Sequence, residues 1–392
     1  MDYIGKVDLP YKELENGENL YDDVNLMASD IIPAEYWKNP IGVGNPDICA
    51  LPRPTGTSEL LTQNTVPFCG YDPAAPEKMK LWERKQSLLG LKQVRFPFVF
   101  HGQIENLLSI SLISAYQYRR LAISGRYKGE GTETILSSGQ NISSNVQGFS
   151  IIGTSGCGKS TAFQLTAAKY PRAIHHSFDT YSYVQIPIVR LTAYANGNLR
   201  ALFISMSQQL DEILDTGTRH YDQMRRNDIG KMAALICDWI RIYHIGLIAI
   251  DEIQLMDFNP HSAKSFENLL TITAATGVAL AVIGTEDAMD SWSRLLRIQR
   301  RTESSIVKAD EYCHERPYMN SIIRHLWKYQ WVTPRVELTQ EAMDALYEES
   351  LGSIDLLTSL WMMVQFDALE KKGSVIDAEF IRRVSHKRFS RM

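Results

Sequence analysis

The sequence predicts an α/β protein. A phosphate-loop nucleotide domain with a parallel sheet is followed by a small all-helical domain and preceded by an irregular, proline-rich arm. Three observations predict this. Gly153-Thr154-Ser155-Gly156-Cys157-Gly158-Lys159-Ser160 fits G-x-x-x-x-G-K-[ST] between a strand-like run, Phe149–Ile152, and a helix-like run, Ser160–Lys169. Two further apolar runs, from Gly246 and from Val278, read as buried parallel strands. From Pro317 onward the apolar residues recur at helical spacing.

The arm comes first. Ten of the 15 prolines lie within residues 1–97, so long helices and central strands are excluded there. Aromatics such as Tyr36, Trp37, Phe68 and Tyr71 argue against a purely solvated tail. They suit packing on the main domain, docking of a partner, or both. Gln103 to Arg120 carries Ile104, Leu107, Leu108, Leu112, Ile113 and Tyr116 at helical spacing, and Gly125 to Asn145 reads as a polar loop.

The phosphate loop needs its residue types in this order. Glycines let the backbone turn through positive φ and bring N–H groups toward an anion. Lys159 supplies charge for the β- and γ-phosphates of ATP, and Ser160 is placed to ligate Mg²⁺. Thr161 continues the loop onto a helix whose N-terminus faces the anion. Gly153 through Thr161 are therefore the candidate nucleotide-binding residues.

Val184 to Leu191 reads as a strand with Pro187 at a strained central position, and Asn198 to Leu214 as a helix. The stretch with Thr218, Arg219, Arg225, Arg226 and Lys231 is basic, which alone fits a solvated face. The run Gly246–Ile250 ends in Asp251 and Glu252. In phosphoryl-transfer sites the first such acid holds Mg²⁺ and the second orients or deprotonates water. Asp251 is thus a candidate metal ligand with Ser160, and Glu252 the candidate base. The strand Val278–Gly284 ends in Thr285, which is placed to reach water or the γ-phosphate, or to cap a helix. Arg300 and Arg301 close a run of four arginines in eight positions, suited to a solvent face or to a neighbouring subunit's nucleotide. Helices are expected over Tyr318–Trp331, Gln340–Ser350, Ser353–Lys371 and Asp377–Phe389, with a basic tail.

Composition narrows the classes. The 392 residues allow two or three domains, and 44% hydrophobic with 22% charged is ordinary for a globular protein. No apolar run reaches membrane-spanning length and no basic-then-apolar leader opens the chain, so a cytoplasmic protein without membrane partners is expected. Five scattered cysteines without a CxxC pair argue against zinc or a disulfide framework. A net charge of −4 carries no global nucleic-acid signature, so DNA contact would be local or shared among subunits.

The order of a parallel-sheet nucleotide domain, distal arginines and a helical lid resembles the AAA+ ATPases. In detail Ile250-Asp251-Glu252-Ile253-Gln254, Ile283-Gly284-Thr285, Arg300-Arg301 and Gly352-Ser353-Ile354-Asp355-Leu356-Leu357 resemble the TnsC/TniB transposition regulators. Arg172-Ala173-Ile174-His175-His176 and Leu326-Trp327-Lys328-Tyr329-Gln330 are similar to the larger TnsC members. The resemblance runs from about residue 100 to 385, and the chain is read as an arm over residues 1–97 that docks partners, an ATPase domain over 98–312 and a helical lid over 313–392. The resemblance implies ATP-dependent assembly of a homo-oligomer, as ring or filament, around double-stranded DNA, with a transposase and a target-site selection protein as partners. DNA contacts then fall near Asn198, Arg200, Thr218 and Arg219. Asp355 stands where many AAA+ lids carry an arginine, which implies slow hydrolysis. Two other readings stay open: an AAA+ ATPase acting on protein partners only, in secretion or signalling, and a small-molecule P-loop kinase.

Overall fold

The computed structural model describes residues 9–13, 20–21, 31–42, 44–118, 146, 148–194, 198–256, 268–269, 271–286, 305–313, 315–371 and 375–389. Arg300 and Arg301 and the loop 125–145 lie outside the described residues.

In chain order the strands are β1 (Ile31–Pro33), β2 (Phe149–Ile152), β3 (Ala173–Ser177), β4 (Ser182–Gln185), β5 (Ile188–Thr192), β6 (Leu247–Asp251), β7 (Ala279–Gly284) and β8 (Ile306–Lys308). The described helices are α1 (Pro46–Cys49), α2 (Thr57–Gln63), α3 (Ala75–Lys78), α4 (Leu81–Ser87), α5 (Val99–Tyr118), α6 (Lys159–Ala167), α7 (Leu199–Leu214), α8 (Arg219–Met224) and α9 (Ile229–Ile242). They continue with α10 (Asp310–Cys313), α11 (Arg316–Trp327), α12 (Gln340–Glu349), α13 (Ile354–Glu370) and α14 (Ala378–Phe389).

The main sheet has the order β5-β6-β7-β2-β8. Its pairs β5–β6, β6–β7 and β7–β2 are parallel, as the apolar runs predict. β2 and β7 are buried along their whole length. A second sheet has the order β1-β3-β4, with β1 parallel to β3 and β3 antiparallel to β4.

The single strand expected over Val184–Leu191 is instead two. β4 belongs to the second sheet and β5 to the main one, with Ile186 and Pro187 between them. Proline has no N–H to give a ladder, so the strand breaks there. Its carbonyl still accepts the N–H of Leu247 at 2.9 Å, which starts the pairing with β6.

The chain divides into two compact units that interleave along the sequence. The first comprises residues 1–55, 103–152 and 163–307. Its main core gathers Val189, Leu191, Leu202, Phe203, Ile236, Ile248 and Ile250 from sheet and helices. A smaller core joins arm residues Leu9, Leu20, Tyr21, Ile32 and Tyr36 to Ile174 of β3. Beside it runs a buried polar network. Asp47 Oδ2 lies 2.8 Å from His244 Nδ1, and Tyr183 donates to Asp47 Oδ1 at 2.9 Å. Gln185 donates to the Asp47 carbonyl, so its Oε1 faces His176 Nε2 at 2.8 Å. That makes Nε2 the protonated nitrogen and leaves Nδ1 to accept from Tyr36 at 2.9 Å. The Tyr183 ring is stacked between His176 and His244, at 4.5 and 4.2 Å.

The second unit comprises residues 56–102, 153–162 and 308–392. Its helices follow the expected lid within a few residues. Thr339 and Ser353 cap α12 and α13, and Trp327 stacks on Trp361 at 4.2 Å in the core. Phe68 and Tyr71 pack against Tyr329 and Trp331 with centroids 5.0 to 5.7 Å apart. Tyr71 also donates to the Gln330 carbonyl at 3.0 Å. Across residues 1–97 the described elements are all short, as the prolines require.

Candidate nucleotide site

The phosphate loop belongs to the second unit. Gly156 and Gly158 take φ of 80° and 92°, a region costly for residues with a Cβ. At Gly156 space also decides, since a Cβ would sit 2.8 Å from Ser353 Oγ. Lys159 is buried, and its Nζ donates to the carbonyls of Gly153 at 2.8 Å and Thr154 at 2.7 Å. An ammonium gathered by the loop that precedes its own helix fits a polyphosphate. Ser160 and Thr161 lie half-buried on the first turns of α6, while Thr154 and Ser155 are exposed.

Cys157 is buried behind the loop. The Cys313 thiol donates to its carbonyl at 3.1 Å. Contact with the Cys313 thiol, then the Lys159 ammonium 3.8 Å away, lower the Cys157 thiol pKa against the effect of burial. Asp355, in the first turn of α13, also lies near Gly156. Sequence reasoning missed Asp310, whose carboxylate accepts both the N–H and the hydroxyl of Thr154. No local pattern marks it.

The acidic strand end belongs to the first unit. Asp251 closes β6, and its Oδ1 accepts the N–H of Glu252 at 2.9 Å. Glu252 itself turns into the left-handed region with φ of 56°, which ends the strand abruptly. Its carboxylate accepts a hydrogen bond from the Gln254 amide. The Gln254 Oε1 is buried without a partner among the described residues. This Glu252–Gln254 contact was also missed, although both residues stand two apart in the quoted motif. Gly284 ends β7 against this turn, where a Cβ would lie 2.5 Å from Ile253 Cγ2. Half-buried Thr285 follows it. Ile152, the residue before the phosphate loop, pairs with Gly284, and Ile250 pairs with Val282. Asp251, Thr285 and the end of β2 therefore share the C-terminal edge of the sheet, where open α/β sheets bind ligands.

The four candidate DNA residues lie at the starts of α7 and α8, Asn198 and Thr218 in the position before each helix. Asn198 caps α7 by accepting the Ala201 N–H at 2.9 Å. Arg200 is half-buried and donates to the carbonyls of Asn227 and Arg225 at 2.7 Å each. Thr218 donates to Asp222 at 2.9 Å, and Arg219 is exposed as the first residue of α8. Beneath them the buried Asp211 carboxylate accepts from His220 and Tyr221 backbone N–H groups at 2.9 Å and fixes the turn. Burial would raise its pKa, but these bonds hold it below the usual carboxylate range. Among the described residues there is no His, Cys, Asp and Glu cluster able to hold a metal by itself.

The parallel sheet and the glycine-turned loop define a P-loop type α/β domain. Residues 145–290 match the model of a family described as AAA domain. No curated protein matches the chain. Among solved structures, the chain is similar to the Aeropyrum pernix ORC1 protein in complex with DNA, at 12% identity and TM-score 0.44. That match covers 62% of this chain and 59% of the other, less than two thirds of its length. Pyrobaculum aerophilum Cdc6p is similar at 14% identity, 63% coverage of each chain and TM-score 0.41. The Thermotoga maritima RuvB Holliday junction branch migration motor is similar at 16% identity, covering 69% and 72%, with TM-score 0.36. Among the described residues no helix is long and apolar enough to cross a membrane.

Proposed function

We propose that the chain is an ATP-dependent, DNA-binding AAA+ regulator of DNA transposition. It assembles as a homo-oligomer on duplex DNA and links a target-site selection protein to a transposase. The observation that carries the nucleotide part is Lys159, held by two carbonyls within a glycine-turned loop. Ser160 and Asp251 would hold Mg²⁺, which neutralises phosphate charge when bound. Glu252 accepts a proton from the attacking water once it leaves Gln254, and Thr285 orients that water. Arg300 and Arg301 act on a neighbouring subunit's nucleotide. The transposition part is supported by the sequence resemblance over Ile250–Gln254, Ile283–Thr285 and Gly352–Leu357.

Duplex DNA is engaged by Thr218 and Arg219 at the exposed start of α8, and one subunit offers few phosphate contacts. Assembly adds those contacts on a single duplex. Fluorescence anisotropy with labelled duplex, with ATP or ADP across a salt series, tests this. Binding is expected with ATP and not ADP, steep in salt, and weaker with a flatter slope for Arg219→Ala. Absence of ATP-dependent DNA binding at low salt overturns the reading. The alternative, an AAA+ ATPase acting on protein partners only, is favoured by one observation. Arg200, one of the candidate DNA residues, gives its guanidinium to two backbone carbonyls.

A further inference from the structure

The peptide between Gly153 and Thr154 is gripped on both sides. Its N–H lies 2.8 and 3.0 Å from the two carboxylate oxygens of Asp310, and the Thr154 hydroxyl donates to Asp310 Oδ1 at 2.8 Å. Its carbonyl, that of Gly153, accepts from Lys159 Nζ at 2.8 Å. A trans peptide is planar, with N–H and C=O on opposite sides. Holding the N–H on Asp310 therefore fixes where the Gly153 carbonyl points, and with it one of the two anchors of the Lys159 ammonium.

The support behind Asp310 is firm. Ala309 is fully buried, and its carbonyl accepts the N–H groups of Tyr312 and Cys313 at 3.1 Å each. A Cβ on Gly153 would lie 3.2 Å from both Ala309 Cβ and Asp310 Oδ1, so the loop starts flush against this segment. Three residues on, the Cys313 thiol meets the Cys157 carbonyl at 3.1 Å. α10 and the residue before it thus touch the loop at its beginning and its middle.

We propose that Asp310 is a positioning residue of the phosphate loop. By bridging the backbone N–H and the hydroxyl of Thr154, its carboxylate orients the 153–154 peptide and sets the resting place of the Lys159 ammonium. The proposal rests on the nucleotide reading above and adds to it a residue that touches no phosphate itself.

The test is titration of the full chain with fluorescent ATP and ADP analogues, beside melting curves without nucleotide and steady-state ATP hydrolysis. Asp310→Ala is expected to weaken both nucleotides about tenfold, and Asp310→Asn, which keeps one acceptor, about threefold. Thr154→Val, which keeps the backbone bond, should lose less than about threefold. KM should rise in step with Kd while kcat at saturation stays within about twofold, a split that a general loss of folding would not give. Wild-type Kd in folded Asp310→Ala, or kcat falling at unchanged Kd, overturns the proposal. Should Asp310→Ala fail to fold, Asp310→Asn and Thr154→Val decide it, and wild-type affinity in both overturns it. A wild-type chain that binds neither nucleotide overturns the nucleotide reading and this proposal together. Binding by the wild type with unaltered variants overturns this proposal alone.

Discussion

The two halves of the N-terminal region are held by different chemistry. Residues 31–55 are fastened in the first unit by a strand pairing and by the buried network of Tyr36, Asp47, His176, Tyr183, Gln185 and His244. Residues 56–102 are fastened in the second unit mainly by aromatic faces, Phe68 and Tyr71 against Tyr329 and Trp331, and Phe98 against Tyr318 at 4.9 Å. Polar networks specify one geometry and fail sharply when one member is lost. Ring packing tolerates small shifts and fails gradually. The proline-rich composition foretold that neither half would form long elements, and said nothing of this contrast.

The largest expected effect breaks the first half. Asp47→Ala leaves His244 and Tyr183 buried without their acceptor and should cost about 3–5 kcal/mol. Denaturant titration of the full chain measures this; a loss under about 1 kcal/mol would mean that the network relaxes. Next is the second half, where Phe68→Ala should cost about 2 kcal/mol because the ring is half-buried. A double-mutant cycle with Trp331→Ala should return a coupling of about 0.5–1.5 kcal/mol, and additive losses would remove the ring pair from the account.

The smallest effect sharpens the comparison through pH. Burial pushes His176 down to about 4, against the upward pull of Asp47. A neutral buried imidazole contributes fully above its unfolded value near 6.5 and loses that contribution as pH falls toward 4. Near pH 5.5 the loss should be about 1 kcal/mol. His101, beside Asn64 in the second half, is likewise pushed down to about 4 by burial, so both halves share this slope. They part at lower pH. Burial would raise the Asp47 carboxyl, but His244 and the Tyr183 hydroxyl are among the groups that together hold it below the usual range. Its stabilisation is present above the usual carboxylate range and lost only below it. Hydrogen exchange read by segment should show both halves loosening together from pH 6.5 to about 4.5, and residues 31–55 losing more below that. Equal losses throughout would count against Asp47.

Much of the fold and part of the candidate site's layout were legible in the sequence. The loop, the acidic end of β6 and the lid helices announce themselves because each is a local pattern: fixed spacing, an apolar run, a helical period. Asp310 was not legible, since it meets Thr154 across 156 residues of chain and nothing beside it in sequence marks the meeting. Arg200 shows another limit. The resemblance alone singled it out, and nothing in the sequence marks the two carbonyls, of Arg225 and Asn227, that its guanidinium meets. Pro187 was legible as a difficulty in a strand, but not as the point where one strand becomes two in different sheets.

β1 has a consequence for any shortened form of the chain. By pairing with β3 it makes that strand the middle of its sheet. Removing residues up to 40 or beyond would turn β3 into an edge, with a row of unpaired backbone donors and acceptors beside the freshly bared Ile174. Such an edge invites strand addition from other molecules. Truncated chains would be expected to self-associate and precipitate, and any partner they failed to capture would be missing because of solubility, whatever the arm's own affinity.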